Sequence, residues 1–122
     1  MTRRFKAVVF DWAGTMIDFG SFAPMGVFVE AFARFGIEAT IAEARGPMGS
    51  PKRAHIQAMM AMPSIRAQWE ATRGRAPSEA DVDEVYAVFV PMNEEVVARY
   101  ATLVPGAKGT FDWLKARGMK VG

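Results

Sequence analysis

Apolar and polar residues alternate along this chain with two distinct periods. FKAVVF, residues 5 to 10, is an almost unbroken apolar run rich in β-branched and aromatic side chains, and it predicts a parallel strand covered on both faces. From SFAPMGVFVEAFARFG onward the period is helical. Pro24 suits a first helical turn, Gly36 a C-terminal cap, and Phe28, Phe32 and Phe35 form a buried stripe. Thr40 predicts the cap of a short helix through Ala44. Ser50-Pro51 predicts a helix start, with the serine as cap and the proline at the first helical position, running to about Met60. A weaker helix begins at Pro63, TRGRAPS reads as a loop, and SEAD, residues 78 to 81, forms a capping box. Val82, Val85, Tyr86, Phe89, Val96 and Tyr100 keep helical period beyond it, with Pro91 expected to kink or split the segment. The chain then turns at Pro105-Gly106 into a helix capped by Gly118, and MKVG starts a second strand.

The order is thus strand, a long helical stretch, helix, and the beginning of a strand. A buried parallel strand needs neighbours, and a sheet usually needs three or more strands to stand alone. The simplest reading is a truncated piece of a longer α/β protein. The alternative, a complete helical domain with a strand stub, leaves FKAVVF poorly housed. The 122 residues suffice for one modest domain, and a composition 51% hydrophobic argues against disorder. No apolar run reaches the roughly 20 residues of a membrane span, and Asp11 interrupts a leader-like opening, so the chain reads as cytoplasmic. With no cysteine there is no thiolate chemistry, and one histidine excludes a multi-histidine metal site. A net charge of +2 with scattered basic residues argues against nucleic-acid binding. The nine methionines read as core filler.

Chemistry concentrates at two places. Asp11 stands where the carboxyl end of the first strand meets a loop, the usual ligand edge of an open α/β sheet. Gly14 permits unusual backbone angles and Thr15 offers a hydroxyl, so D-x-x-G-T presents either a nucleophilic carboxylate that accepts a phosphoryl group or a turn-capping aspartate. The apolar strand directly before it favours the nucleophile. Trp12 is expected beside the mouth of that site, and Asp18 to stabilise the turn. The second place is Lys52, in the first helical turn after Ser50, with Arg53 beside it. The helix dipole and the neighbouring cation both disfavour its protonated form. On residue type alone it is a surface lysine. His55 shares its helix face at i, i+3, as a proton shuttle or a packed helix residue in equal measure. Met48 lines the site or fills core, and Arg45, Arg53 and Arg73 are solvated residues by default that could attract an anion.

FDWAGT resembles the first motif of the haloacid dehalogenase superfamily, whose phosphatases more often read D-x-D-G-T. With GSFAP at 20 to 24 and ARGPMGSPKRAH at 44 to 55, the chain is similar to the phosphonoacetaldehyde hydrolase family within it, over nearly all of its length. The resemblance implies an incomplete Rossmann-like core in residues 1–20, a helical cap domain in 21–100 and a truncated return to the core in 101–122. It implies hydrolysis of phosphonoacetaldehyde to acetaldehyde and phosphate, with Lys52 as the imine-forming lysine and Asp11 as nucleophile. His55 would be catalytic, and Met48, Gly14 and Thr15 would contact substrate. It further implies Mg2+ held by the Asp11 carboxylate, the Ala13 carbonyl and an acid from a motif absent here, and a homodimer for which the sequence itself shows no interface. Ala13 then makes sense. A phosphate ester leaves as an alkoxide that a second aspartate can protonate, whereas a phosphonate leaves through carbon and needs an electron sink. A lysine imine is such a sink. A dehalogenase-like enzyme would have no use for Lys52, and a non-catalytic helical binding module would release no phosphate.

Overall fold

The computed structural model describes residues 4–18 and 22–122. The chain forms two compact units, Met1–Phe22 with Arg99–Gly122, and Ala23–Ala98. Gly20 and Ser21 of the GSFAP motif lie outside the described residues.

The first unit holds a parallel pair of strands. β1 (Ala7–Val8) pairs with β2 (Lys120–Val121), Ala7 opposite Lys120 and Val8 opposite Val121. Backbone bonds from Lys120 N to Lys6 O (3.1 Å), Gly122 N to Val8 O (3.0 Å) and Phe10 N to Gly122 O (2.8 Å) extend the pairing past the strand ends. The strand register follows the FKAVVF run, but its burial does not. Phe5 is 70% and Val9 85% exposed, because within these residues only β2 and the preceding helix accompany the strand. That helix, α6 (Ala107–Ala116), starts behind Gly106 in the left-handed region and ends at Gly118. There Gly118 N bonds Lys115 O and Met119 N bonds Leu114 O, the paired bonds of a glycine-terminated helix.

The second unit is helical. α1 (Phe22–Ala33) carries Pro24 in its first turn and closes through Gly36 (φ 76°), with Ile37 N bonded to Phe32 O. α2 (Ile41–Arg45) is short and held by Thr40, whose side chain accepts from Glu43 N while the Glu43 carboxylate accepts from Thr40 N. α3 (Lys52–Met60), α4 (Pro63–Arg73) and α5 (Glu79–Val97) follow, α5 behind the Ser78–Asp81 capping box. Phe28, Phe32, Ile56, Met59, Ile65, Trp69, Val85 and Phe89 fill the core. Each such side chain contributes roughly 1.5–3 kcal/mol by leaving water. Among the described buried side-chain nitrogens and oxygens, Trp69 Nε1 alone lacks a hydrogen-bond partner.

One expectation fails, and of the two outcomes expected at Pro91 the split does not occur. Ser50 does not cap α3: Pro51 occupies the capping position without a side-chain bond, so the helix begins one residue later, at Lys52. Pro91 does not split α5, which runs unbroken from Glu79 to Val97. Pro91 and the residue four before it, Ala87, are both exposed, so the carbonyl that loses its helical partner remains within reach of water. TRGRAPS is also shorter as a loop than expected, since Thr72 and Arg73 complete α4 before Gly74 ends it in the left-handed region.

Candidate functional site

Asp11 sits just beyond the carboxyl end of β1 and is exposed. The loop after it is wound around one carbonyl: Trp12 O accepts from Thr15 N (3.2 Å), Met16 N (2.9 Å) and Ile17 N (3.3 Å), while Gly14 N donates to Ile17 O (2.7 Å). This winding needs the φ of 81° that Gly14 supplies. It turns Thr15 back toward the aspartate, and Thr15 Oγ1 donates to Asp11 Oδ2 at 3.3 Å. Ile17 pairs with Leu103, and Asp18 N donates to Thr102 O (3.0 Å), which fastens the loop to the segment entering α6. Asp18, buried and with φ 54°, accepts from Phe22 N at 3.1 Å; it shapes the turn and starts α1, the structural role its position suggested. Trp12 projects outward and lines an open apolar hollow of about 390 Å³ with Met16, Leu103, Lys108, Phe111 and Asp112.

In the helical unit, Lys52 opens α3 and Met48 stands exposed in the turn before it. His55, one turn on, is buried. Its Nε2 lies 2.7 Å from Ala44 O, an acceptor only, so Nε2 carries the proton of the neutral ring and Nδ1 the lone pair. Ala44 belongs to the last turn of α2, where a carbonyl has no helical partner; the imidazole supplies one. The His55 ring stacks on Phe28 with centroids 3.9 Å apart, and Phe28 stacks in turn on Phe89 at 4.3 Å. Burial depresses the His55 pKa, opposed by the bond to Ala44 and reinforced by the charge of Lys52. Lys52 is exposed as a residue, but its Nζ lies 5.7 Å from the Phe28 ring centroid, and partial loss of water around the amine lowers its pKa. That cause is neither of the two expected. Arg53 adds no loose positive charge beside the lysine, because its guanidinium donates to Asp83 (2.7 Å) and Glu79 (2.9 Å) of α5.

The structure therefore gathers Asp11, Ala13, Gly14 and Thr15 on one loop, and Met48, Lys52 and His55 around the start of α3. Arg73 lies over the Trp69 and Phe35 rings. A hollow of about 410 Å³ in the helical unit is lined by other residues, among them Gln57, Met60, Arg66, Ser78, Glu79 and Val82. Sequence reasoning missed the connection of Phe28 to the lysine; the helical stripe marked that residue as core and carried no further signal.

A family model described as haloacid dehalogenase-like hydrolase matches residues 5–122. The chain belongs to that family. Among haloacid dehalogenase-like relatives, it is 52% identical over 117 residues to phosphonoacetaldehyde hydrolase of Paraburkholderia phytofirmans, covering 96% of this chain and 44% of the relative. It is 45% identical over 117 residues to phosphonoacetaldehyde hydrolase of Pseudomonas aeruginosa, covering 96% and 42%. The crystal structure of a phosphonoacetaldehyde hydrolase-like protein from Oleispira antarctica superposes with a TM-score of 0.93 at 43% identity, over all of this chain and 46% of that one. The chain thus spans less than half the length of these relatives. In fold it is a haloacid dehalogenase-like α/β chain, mostly helical, with a short parallel sheet. Among the described residues no helix is long and apolar enough to cross a membrane.

Proposed function

We propose that the protein carrying this chain hydrolyses the carbon–phosphorus bond of phosphonoacetaldehyde, with the helical unit acting as a cap domain that carries the imine-forming lysine. The observation that carries the reading is Lys52 itself: an amine at the first position of α3, 5.7 Å from the Phe28 ring centroid, with its pKa lowered by partial loss of water. An ordinary lysine is almost wholly protonated near neutral pH, and only the neutral amine attacks a carbonyl. The names of relatives 45–52% identical support the substrate.

In this mechanism Lys52 Nζ adds to the aldehyde carbon and water departs, leaving a protonated imine. An Asp11 oxygen attacks phosphorus, the carbon–phosphorus bond breaks, and its electron pair moves into the imine to give an enamine. Protonation of the enamine carbon and hydrolysis release acetaldehyde and restore the amine. Water then cleaves the aspartyl phosphate. Thr15, bonded to Asp11, orients the carboxylate with the Gly14 turn behind it. Met48 contacts substrate from the turn before Lys52. His55 moves protons at Nδ1, since its Nε2 hydrogen is committed to Ala44. Ala13 leaves no acid where carbon departure needs none.

The Asp11 carboxylate and Ala13 carbonyl offer hard oxygen ligands of the kind Mg2+ takes, together with waters and phosphonate oxygens. Their fit is partial, since no group of three acidic or histidine side chains among the described residues could hold a metal ion. Bound there, Mg2+ would offset the charge between carboxylate and phosphonate.

The test is borohydride reduction of the intact protein during incubation with phosphonoacetaldehyde, followed by mass mapping. A two-carbon or phosphonoethyl adduct on Lys52, absent in Lys52→Arg, is the expected result. Phosphate release with Lys52 never labelled would sink the mechanism.

A further inference from the structure

We propose that Phe28 is a positioning residue for the Lys52 amine, a ring fixed from both sides that serves as a wall for that side chain. The inference rests on the imine reading above for its consequence in catalysis, but its geometry stands independently.

Phe28 lies on α1, fully buried. Its plane is within 17° of His55 and 16° of Phe89, with centroids 3.9 and 4.3 Å away. Two rings that close and that nearly parallel would overlap if they shared a face, so His55 and Phe89 cover opposite faces. The sandwich joins three helices: α1 through Phe28, α3 through His55 and α5 through Phe89. The outer members are themselves fixed, His55 by Ala44 O at 2.7 Å and Phe89 by burial in the core. Phe28 therefore has little freedom to tilt or withdraw.

Lys52 meets this ring at 5.7 Å from its centroid. With both faces covered by aromatic rings, little of the ring's electron-rich face is left for the ammonium. The contact excludes water on one side without strongly favouring the charged form. The facing groups agree with this. From α1 comes an uncharged ring; on α3 the neighbouring groups are His55, which burial keeps toward neutral, and Arg53, whose charge Glu79 and Asp83 of α5 take up. Phe28 thus helps set both the direction of the amine and its hydration.

The experiment compares Phe28→Leu and Phe28→Met with Phe32→Leu in the intact protein. Phe32 is equally buried on the same helix and stands outside the ring stack, so it matches the loss of core packing. Each protein is pulsed with acetic anhydride, and acetylation of Lys52 is measured by mass spectrometry relative to Lys108, an exposed lysine of the other unit. The Lys52/Lys108 ratio is expected to fall about threefold or more in both Phe28 variants as the exposed lysine's partly shielded amine becomes fully hydrated, and to stay unchanged in Phe32→Leu. Melting temperature should fall in all three. An unchanged ratio in the folded Phe28 variants, or an equal fall in Phe32→Leu, overturns the proposal. Because anhydride needs no imine, the result is separable from borohydride trapping: wild type that never traps phosphonoacetaldehyde refutes the catalytic reading and leaves the positioning of the amine to this ratio.

Discussion

Replacing His55 with phenylalanine isolates one hydrogen bond and one titration. Phenylalanine keeps a flat ring against Phe28 but cannot donate to Ala44 O, and Ala44 is fully buried, so that carbonyl has no ready access to water. Leaving a buried acceptor unpaired costs about 1–3 kcal/mol, a substantial part of a typical domain's 5–15 kcal/mol. The pH dependence is the sharper test. Burial holds the folded-state pKa of His55 below its ordinary 6.5. Unfolded chains therefore take up a proton that the folded protein rejects, and stability rises with pH between the folded and unfolded values. The contribution is fully present above 6.5 and declines as pH falls through that value, with a slope that cannot exceed about 1.4 kcal/mol per pH unit for one proton. Urea denaturation of wild type and His55→Phe at half-unit steps from pH 5 to 8 gives the difference curve, in which other titrating groups cancel. Wild type should lead by about 1–3 kcal/mol above pH 7, and the lead should shrink below pH 6.5. Parallel curves across the whole range would falsify the neutral, hydrogen-bonded state of His55.

Gly14→Ala should destabilise by about 1–2 kcal/mol, since an alanine at φ 81° meets the left-handed penalty. Because the same turn carries Thr15 to Asp11, phosphate release by the intact protein should fall further than the melting temperature explains; full activity would separate the turn from the nucleophile. Asp81→Asn should lower the calorimetric midpoint by an amount equivalent to about 1–2 kcal/mol at neutral pH, through the damaged cap of α5. The Arg75 guanidinium, with Ser78, holds the buried Asp81 carboxyl well below the usual carboxylate range. Its contribution is present above the ordinary value of 3.8 and lost as pH falls beneath it, so wild type and variant should converge in acid. Midpoints that stay equally far apart at pH 2.5 and 6 would exclude that assignment.

What was readable in the sequence was mostly local. Thr40 and Ser78 cap helices because a side-chain oxygen and an acid three residues on decide the matter within one turn. Gly36 and Gly118 end helices for an equally local reason, the backbone angle each permits. Ser50-Pro51 misled because two good starting residues compete for adjacent positions, and the proline took the cap. Pro91 does not split α5, because a proline penalty weighs less on an exposed face of a long packed helix. At the site, D-x-x-G-T could be read as a turn presenting Asp11, since Gly14 and Thr15 act within four residues of it. The surroundings of Lys52 were not legible. Arg53 pairs with residues 26 and 30 positions away, and His55 finds its acceptor 11 residues earlier on another helix. Such pairings depend on how helices pack, which no short spacing encodes.

The placement of the three tryptophans gives each unit its own optical signature. Trp69 is sealed within the helices, its indole nitrogen without an acceptor and the Arg73 guanidinium 4.7 Å from its ring, whereas Trp12 and Trp113 stand more than half exposed in the sheet unit. Emission from Trp69 should be blue-shifted and resist acrylamide quenching, while the other two emit to the red and quench readily. A single fluorescence melt can therefore follow loss of the helical core and loss of the strand pair as separate colours, with no label attached.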